Sequence, residues 1–251
     1  MRKAAAIPSQ YDVILLSVKS YALAAAIDDF APSVGPQTVI IPVLNGMQHM
    51  DALRQRFGEK SVLGGGCFVA TEIDAQGRII QLADFQNLTY GELDGKMTSR
   101  IEAVHDAFRG AGFDTAILRD MWQKWVWLAS VGAVTCLLNG SIGEIAAVPG
   151  GAELTLSVFH ECTSIAGACG YPLSETFLAE KSPQLTAPGS PLTTSMYRDL
   201  KDQAPVEVES ILGDLIERGR KQGVSAPLLQ AAFVRLTIYQ QGRAAVKAAA
   251  S

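Results

Sequence analysis

From Trp125 to Leu138 the chain runs for fourteen residues without a charge. As a helix at ~1.5 Å per residue, this stretch is roughly 20 Å long, too short for the ~30 Å apolar core of a bilayer. Little of it can face water, so it is predicted to be the buried central helix of a globular domain. Lys124 stands at its mouth. An ammonium in that position must reach water, pair with an anion or lose its proton more easily than usual. Snorkelling to water is the commoner fate. Easier deprotonation would make a useful acid at neutral pH.

The 251 residues are 48% hydrophobic and only 18% charged, with a net charge of −4. That is apolar material for one large domain or two small ones, with broad buried faces. Some of those faces are expected to bury against a second subunit, making a homodimer. The acidic balance excludes a nucleic-acid footprint. Cys67, Cys136, Cys162 and Cys169 form no C-x-x-C pair and have no histidine at ligand spacing, so no metal site is expected. Cys162 and Cys169, seven apart on one face of a predicted helix, read as buried thiols, and the composition suits a reducing cytoplasm. His160-Glu161 begins like a zinc-protease H-E-x-x-H, but position 164 is Ser. Near the start, Pro8, Ser9, Gln10 and Asp12 interrupt any signal-peptide core, which predicts a cytoplasmic protein without membrane attachment.

Tyr11–Val18 is β-branched-rich and continuous, as for a parallel strand buried on both faces. Ser20–Phe30 is helical, Thr38–Val43 a second buried strand, and Met47–Phe57 helical again. This is a βαβ rhythm. Val62–Thr71 reads as another strand, Arg78–Leu82 and Asn87–Gly91 as an antiparallel extension, Lys96–Gly110 as an amphipathic helix and Phe113–Leu118 as a last strand. Beyond Arg119 everything is helical: 121–138, around 142–148, 151–169, 173–180, 195–203, 206–222 and 226–245, with Lys181–Thr194 as the one long loop. The fold class is therefore α/β followed by all-α, with residues 1–118 in one domain and 119–251 in the other.

A dinucleotide-binding sheet needs a strand that runs into a Gly-rich turn and a helix N-terminus. No G-x-G-x-x-G and no G-x-x-x-x-G-K-[ST] follows a strand here. Gly64-Gly65-Gly66 lies inside an apolar run and reads as a place where backbones approach closely. Asp12–Val18 already looks like a central strand, which suggests a chain that starts late and leaves that strand with an unpaired edge.

Val18-Lys19, Leu44-Asn45-Gly46-Met47, Trp122-Gln-Lys124, Ser195-Met196, Glu207, the run from Val206 to Gly213 and the Gly223-Val-x-x-Pro227 turn occur in a telling order. In order and approximate spacing they resemble the ketopantoate reductases (2-dehydropantoate 2-reductases), from about Tyr11 to Tyr239. The resemblance implies a Rossmann-type domain that binds NADP(H), followed by a helical domain like the C-terminal one of 6-phosphogluconate dehydrogenase. It implies reduction of a 2-keto acid by NADPH, as in pantothenate biosynthesis. Lys124 would be the general acid that protonates the keto oxygen. Asn45 would hold the nicotinamide ribose and substrate, and Lys19 would lie close to the cofactor. Ser195 would bind the substrate carboxylate, and Glu207 would bond near the nicotinamide ribose or the substrate.

Each residue also has a plainer reading. Asn45-Gly46 is a common turn pair, although the carboxyl end of a sheet strand is where open α/β sheets bind ligands. Ser195 is economically a helix N-cap, and Glu207 suits a helix's first turn through the dipole alone. Lys19 would serve as an exposed strand end.

Two departures from the family bear on function. The family's glycine-rich start has no counterpart here, which predicts weakened or lost NADP(H) binding. It keeps open a second reading, a non-catalytic helical module for dimerisation or ligand binding. The family's lysine helix carries Asn four and eight residues after the lysine, where this chain has Leu128 and Gly132. The implied pocket is more apolar, and its substrate is a 2-keto acid or ketone other than ketopantoate.

Overall fold

The computed structural model describes residues 10–92, 96, 98–111, 114–116 and 120–249. The chain divides into two compact units, Met1–Met121 and Trp122–Ser251. Leu118 and Arg119, where the sequence pattern changes, lie outside the described residues, as does residue 113 of the predicted last strand.

In the first unit, strand β1 (Val13–Leu16) leads through a short 3-10 turn into helix α1 (Leu23–Phe30), then strand β2 (Val39–Pro42) and helix α2 (Gln48–Phe57). β1 and β2 pair in parallel, Val13 opposite Val39 and Leu16 opposite Pro42. A parallel bridge between Ile40 and Val62 carries the ladder on to strand β3 (Gly64–Ile73). β3 pairs antiparallel with strand β4 (Ile79–Gly91), which pairs in parallel with strand β5 (Asp114–Ala116) after helix α3 (Ser99–Ala107). The two weak strand segments predicted at 78–82 and 87–91 are therefore halves of one strand, bent where the register shifts between Val69 and Thr71.

β2 is buried throughout, as a two-faced central strand should be. β1 is not. Leu15 is 45% exposed and only Leu16 is buried, because among the described residues β1 has β2 as its one neighbour. The sequence predicts a central-looking strand left with an unpaired edge, and among the described residues β1 has that edge. Helix α3 is shorter than the predicted 96–110 because Thr98 caps it, accepting from Ile101 N at 3.4 Å. The glycine run does bring backbones together: a Cβ on Gly65 would stand 2.3 Å from the Pro42 carbonyl oxygen of the neighbouring strand.

The second unit is helical: α4 (Asp120–Leu138), α5 (Ile142–Ala146), α6 (Gly151–Ala168), α7 (Glu175–Leu185), α8 (Ser195–Lys201), α9 (Asp214–Lys221) and α10 (Pro227–Ala249). The charge-free run is its buried axis, with Val126, Ala129, Val131, Ala133 and Val134 all at 0% exposure. Its two buried hydroxyls are satisfied within the helix, Ser130 donating to Val126 O at 2.7 Å and Thr135 to Val131 O at 2.6 Å. The predicted loop from Lys181 is partly helix, since α7 continues through Pro183 to Leu185. The proline falls in the last turn. Around it Ser182 donates to Leu178 O at 2.7 Å and Thr186 to Ser182 O at 3.2 Å, so hydroxyls serve carbonyls near the interrupted ladder.

Glu161 of α6, half of the apparent zinc motif, has a structural task. Its carboxylate accepts from Leu228 N at 3.0 Å and Leu229 N at 2.9 Å, capping α10 from another helix. Glu161→Ala is expected to cost about 1–2 kcal/mol, seen as a melting temperature lower by roughly 2–8 °C, with Glu161→Gln losing less.

Candidate active site

Because β1 and β2 are parallel, their carboxyl ends share one edge of the first unit. Leu16 is paired with Pro42, and Val43 N donates to Leu16 O at 2.9 Å. Lys19 and Asn45 each follow three residues after that pair, so both lie at the same edge. Lys19 is half-buried in extended backbone (φ −67°, ψ 149°) and leads into the 3-10 turn before α1. Asn45 is half-buried between buried Leu44 and Gly46, whose φ of 78° makes the turn into α2. An ammonium and a carboxamide at adjacent strand ends suit an anionic ligand rich in hydroxyls.

Lys124, Ser195 and Glu207 all belong to the second unit. Lys124 is half-buried on α4, between Trp122 and Trp125 at 6% and 1% exposure. The Trp122 ring lies 5.0 Å from that of Trp125 and stacks on Tyr171 at 4.9 Å, an aromatic cluster on one face of this part of α4. Trp125 Nε1 donates to Ile211 O at 2.9 Å. Ile211 sits in a wide π-type turn, Glu209–Gly213, that leads into α9.

Glu207 comes one turn earlier, its carbonyl accepting from Ile211 N at 3.1 Å, and is buried at 5% exposure. It stands immediately before Val208, where the helical backbone begins, so the helix dipole still favours its carboxylate. Side chains of α10 pin this approach. Gln240 takes Val206 N at 3.1 Å and gives to Val206 O at 3.2 Å, while Tyr239 donates to Ala204 O at 2.9 Å.

Ser195 is not the N-cap of α8. Thr194 takes that place, accepting from Tyr197 N at 3.3 Å, and Ser195 is the first helical residue, half-buried. Three hydroxyl residues in a row, Thr193-Thr194-Ser195, leave the cap ambiguous in sequence. Their neighbour Met196 reaches α4: its Cε would lie 2.7 Å from a Cβ on Gly132. Met196, next to Ser195, thus meets α4 at the Gly132 turn, and Ile211, one turn after Glu207, meets it at the Trp125 turn. Met196, Trp125 and Gln240 could not be read from the sequence as supports of this region, because their partners are far away along the chain.

Residues 2–95 match the family model described as ketopantoate reductase PanE/ApbA, and residues 116–240 match its C-terminal counterpart. The chain belongs to the ketopantoate reductase family. Among curated relatives, the uncharacterized oxidoreductase YkpB of Bacillus subtilis is 29% identical over 92% of this chain and 78% of its own. Among solved structures, a 2-dehydropantoate 2-reductase from Methylococcus capsulatus is 25% identical with a TM-score of 0.82, covering 96% of this chain and 78% of that one. A dimeric ketopantoate reductase from Staphylococcus aureus shares the fold at 20% identity, with a TM-score of 0.81 over 96% and 81%. The family fold is a Rossmann-type sheet followed by a helical domain, and the two units here are those parts.

Of this ketopantoate reductase family member's four free thiols, Cys136 and Cys162 are fully buried and Cys67 and Cys169 half-buried. Burial pushes the Cys136 and Cys162 thiols up to about 12, so neither offers a thiolate near neutral pH. Titration with a disulfide reagent at pH 8 is expected to count at most two thiols in the native protein and four after unfolding.

Proposed function

We propose that the protein reduces a 2-keto acid to the 2-hydroxy acid with NADPH, with Lys124 as the proton donor. The observation that carries this reading is a half-buried ammonium at the mouth of a helix that carries no charge from Trp125 to Leu138. Reduction of a ketone builds negative charge on oxygen, which a donor held in such surroundings stabilises far better than water does. The bound cofactor supplies the hydride that reduces the keto carbon. Lys124 Nζ gives its proton to the keto oxygen and regains one from solvent after release. The Ser195 hydroxyl donates to the substrate carboxylate, and Glu207 accepts from a ribose or substrate hydroxyl. Lys19 and Asn45 hold the nicotinamide end, Lys19 through its charge and Asn45 through amide hydrogen bonds. Their chemistry fits that part of the cofactor.

A homodimer in the cytoplasm accompanies this reading; the four free thiols suit that compartment. The second reading is a helical module that does not bind cofactor. Calorimetric titration with NADPH separates the two. Submillimolar affinity with oxidation of NADPH by a 2-keto acid, followed at 340 nm, supports the reductase. No heat of binding supports the module.

A further inference from the structure

Between helix α8, which begins at Ser195, and the π-type turn runs a stretch outside helix and strand, 202–207, with Glu207 as its last residue. It does not hold its course unaided. Pro205 offers no N–H, and Gln203 takes the left-handed backbone at φ 56°, which residues with side chains rarely adopt. Buried backbone groups need partners, and here side chains of one helix supply them. Arg243 Nε donates to Gln203 O at 2.6 Å and Tyr239 Oη to Ala204 O at 2.9 Å. The Gln240 amide accepts from Val206 N at 3.1 Å and donates to Val206 O at 3.2 Å. Spaced by three and four residues, the three side chains share one face of α10.

Gln240 differs from the other two. Tyr239 and Arg243 each hold a single carbonyl, whereas Gln240 holds both polar groups of the residue before Glu207. Both peptide planes that flank the Val206 Cα are fixed, including the one that leads into Glu207. On the far side, Glu207 O accepts from Ile211 N at 3.1 Å and Ser210 Oγ at 3.2 Å. Val206 and Val208, 3% and 2% exposed, anchor the chain before and after it. The Cα of Glu207 is clamped from both directions, and Gln240 is the part of the clamp that reaches in from another helix.

We propose, resting on the reading of Glu207 as the acceptor from a ribose or substrate hydroxyl, that Gln240 is a positioning residue. It acts through Val206 to aim the Glu207 carboxylate and touches neither substrate nor cofactor. Without its amide the peptide that leads into Glu207 is free to turn, and a misplacement of ~1 Å costs up to about 100-fold in rate.

A double-mutant cycle tests this, with NADPH and either 2-dehydropantoate or 3-methyl-2-oxobutanoate, whichever the protein reduces faster. Gln240→Leu keeps the bulk of the side chain, loses both bonds and is expected to lower kcat/KM by about 10- to 100-fold. Gln240→Glu keeps the acceptor for Val206 N and loses the donor to Val206 O, so it falls between the two. It carries the same cycle where thermal melts show that Gln240→Leu has unfolded. Glu207→Ala is itself expected to lose at least about tenfold, and in that background Gln240→Leu should change kcat/KM by less than about twofold, because no carboxylate is left to aim. A role confined to stability loosens the unit alike with either residue at 207 and gives equal fold losses in both backgrounds. Equal losses, or wild-type kinetics for Gln240→Leu, overturn the inference and leave the reductase reading standing. Wild-type kinetics for Glu207→Ala remove Glu207 from the site, and a protein that reduces neither acid is no reductase of this kind; either result overturns the inference as well.

Discussion

Lys124→Ala is expected to lower kcat by roughly 10²- to 10⁴-fold, the range for loss of a positioned acid, while leaving NADPH affinity nearly unchanged. The reason is location. Lys124 belongs to α4 of the second unit, whereas Lys19 and Asn45, the residues assigned to the nicotinamide end, belong to strand ends of the first. Removing the amine should therefore take away an interaction made as charge develops on oxygen and leave ground-state contacts in place, so kcat and kcat/KM fall together. Lys124→Met keeps the apolar stem and should be as inactive as the alanine variant, which separates the charge from the packing. Stopped-flow kinetics with calorimetry on both variants checks the point. Equal losses in turnover and cofactor affinity would remove the lysine from the chemical step.

The largest effect on stability should come from Trp125→Ala. The side chain is 1% exposed, packs beside Trp122 and donates to Ile211 O at 2.9 Å, with the Arg218 guanidinium 5.7 Å from its ring centroid. Truncation opens a large cavity and strands a carbonyl, a loss of about 3–5 kcal/mol. In a unit of this size that lowers the melting temperature by roughly 6–20 °C. Trp125→Phe keeps most of the volume and loses the hydrogen bond, so a drop of only about 1–3 kcal/mol isolates the indole's tie to the π-turn. Activity should fall with the first variant even where the protein stays folded, because the same side chain fixes the turn that bears Lys124 against the stretch that bears Glu207.

Much of this architecture could be read from residues alone, and the exceptions have physical causes. The charge-free run announced α4 because no other environment accepts fourteen such residues. β1 looks central by its residues alone because an apolar strand reads the same at a sheet's edge as at its centre; its neighbours decide which it is. Pro183 argued for a loop, yet a proline near a helix's end costs little when adjacent hydroxyls serve the carbonyls. Ser195 and Thr194 are equally good caps by chemistry, and backbone geometry decided between them. Glu161 looked like a broken metal motif because its partners, Leu228 N and Leu229 N, lie in another helix. Lys124, Asn45 and Lys19 stand out in the sequence because each sits at a joint in the chain, and their roles are those proposed above. The contacts that hold α4 in place, such as Trp125 to Ile211, leave no such mark in sequence.

The wide turn at Glu209–Gly213 behaves as a one-residue insertion into an otherwise ordinary helix. Deleting a single residue there would let the backbone close at 3.6 per turn and rotate everything before it by about 100°. Glu207 would then point elsewhere with its chemistry unaltered, and Val206 would turn away from Gln240 with it. The aim of that carboxylate is therefore set by counting, and a length change of one in this stretch would be felt more keenly than most substitutions in it.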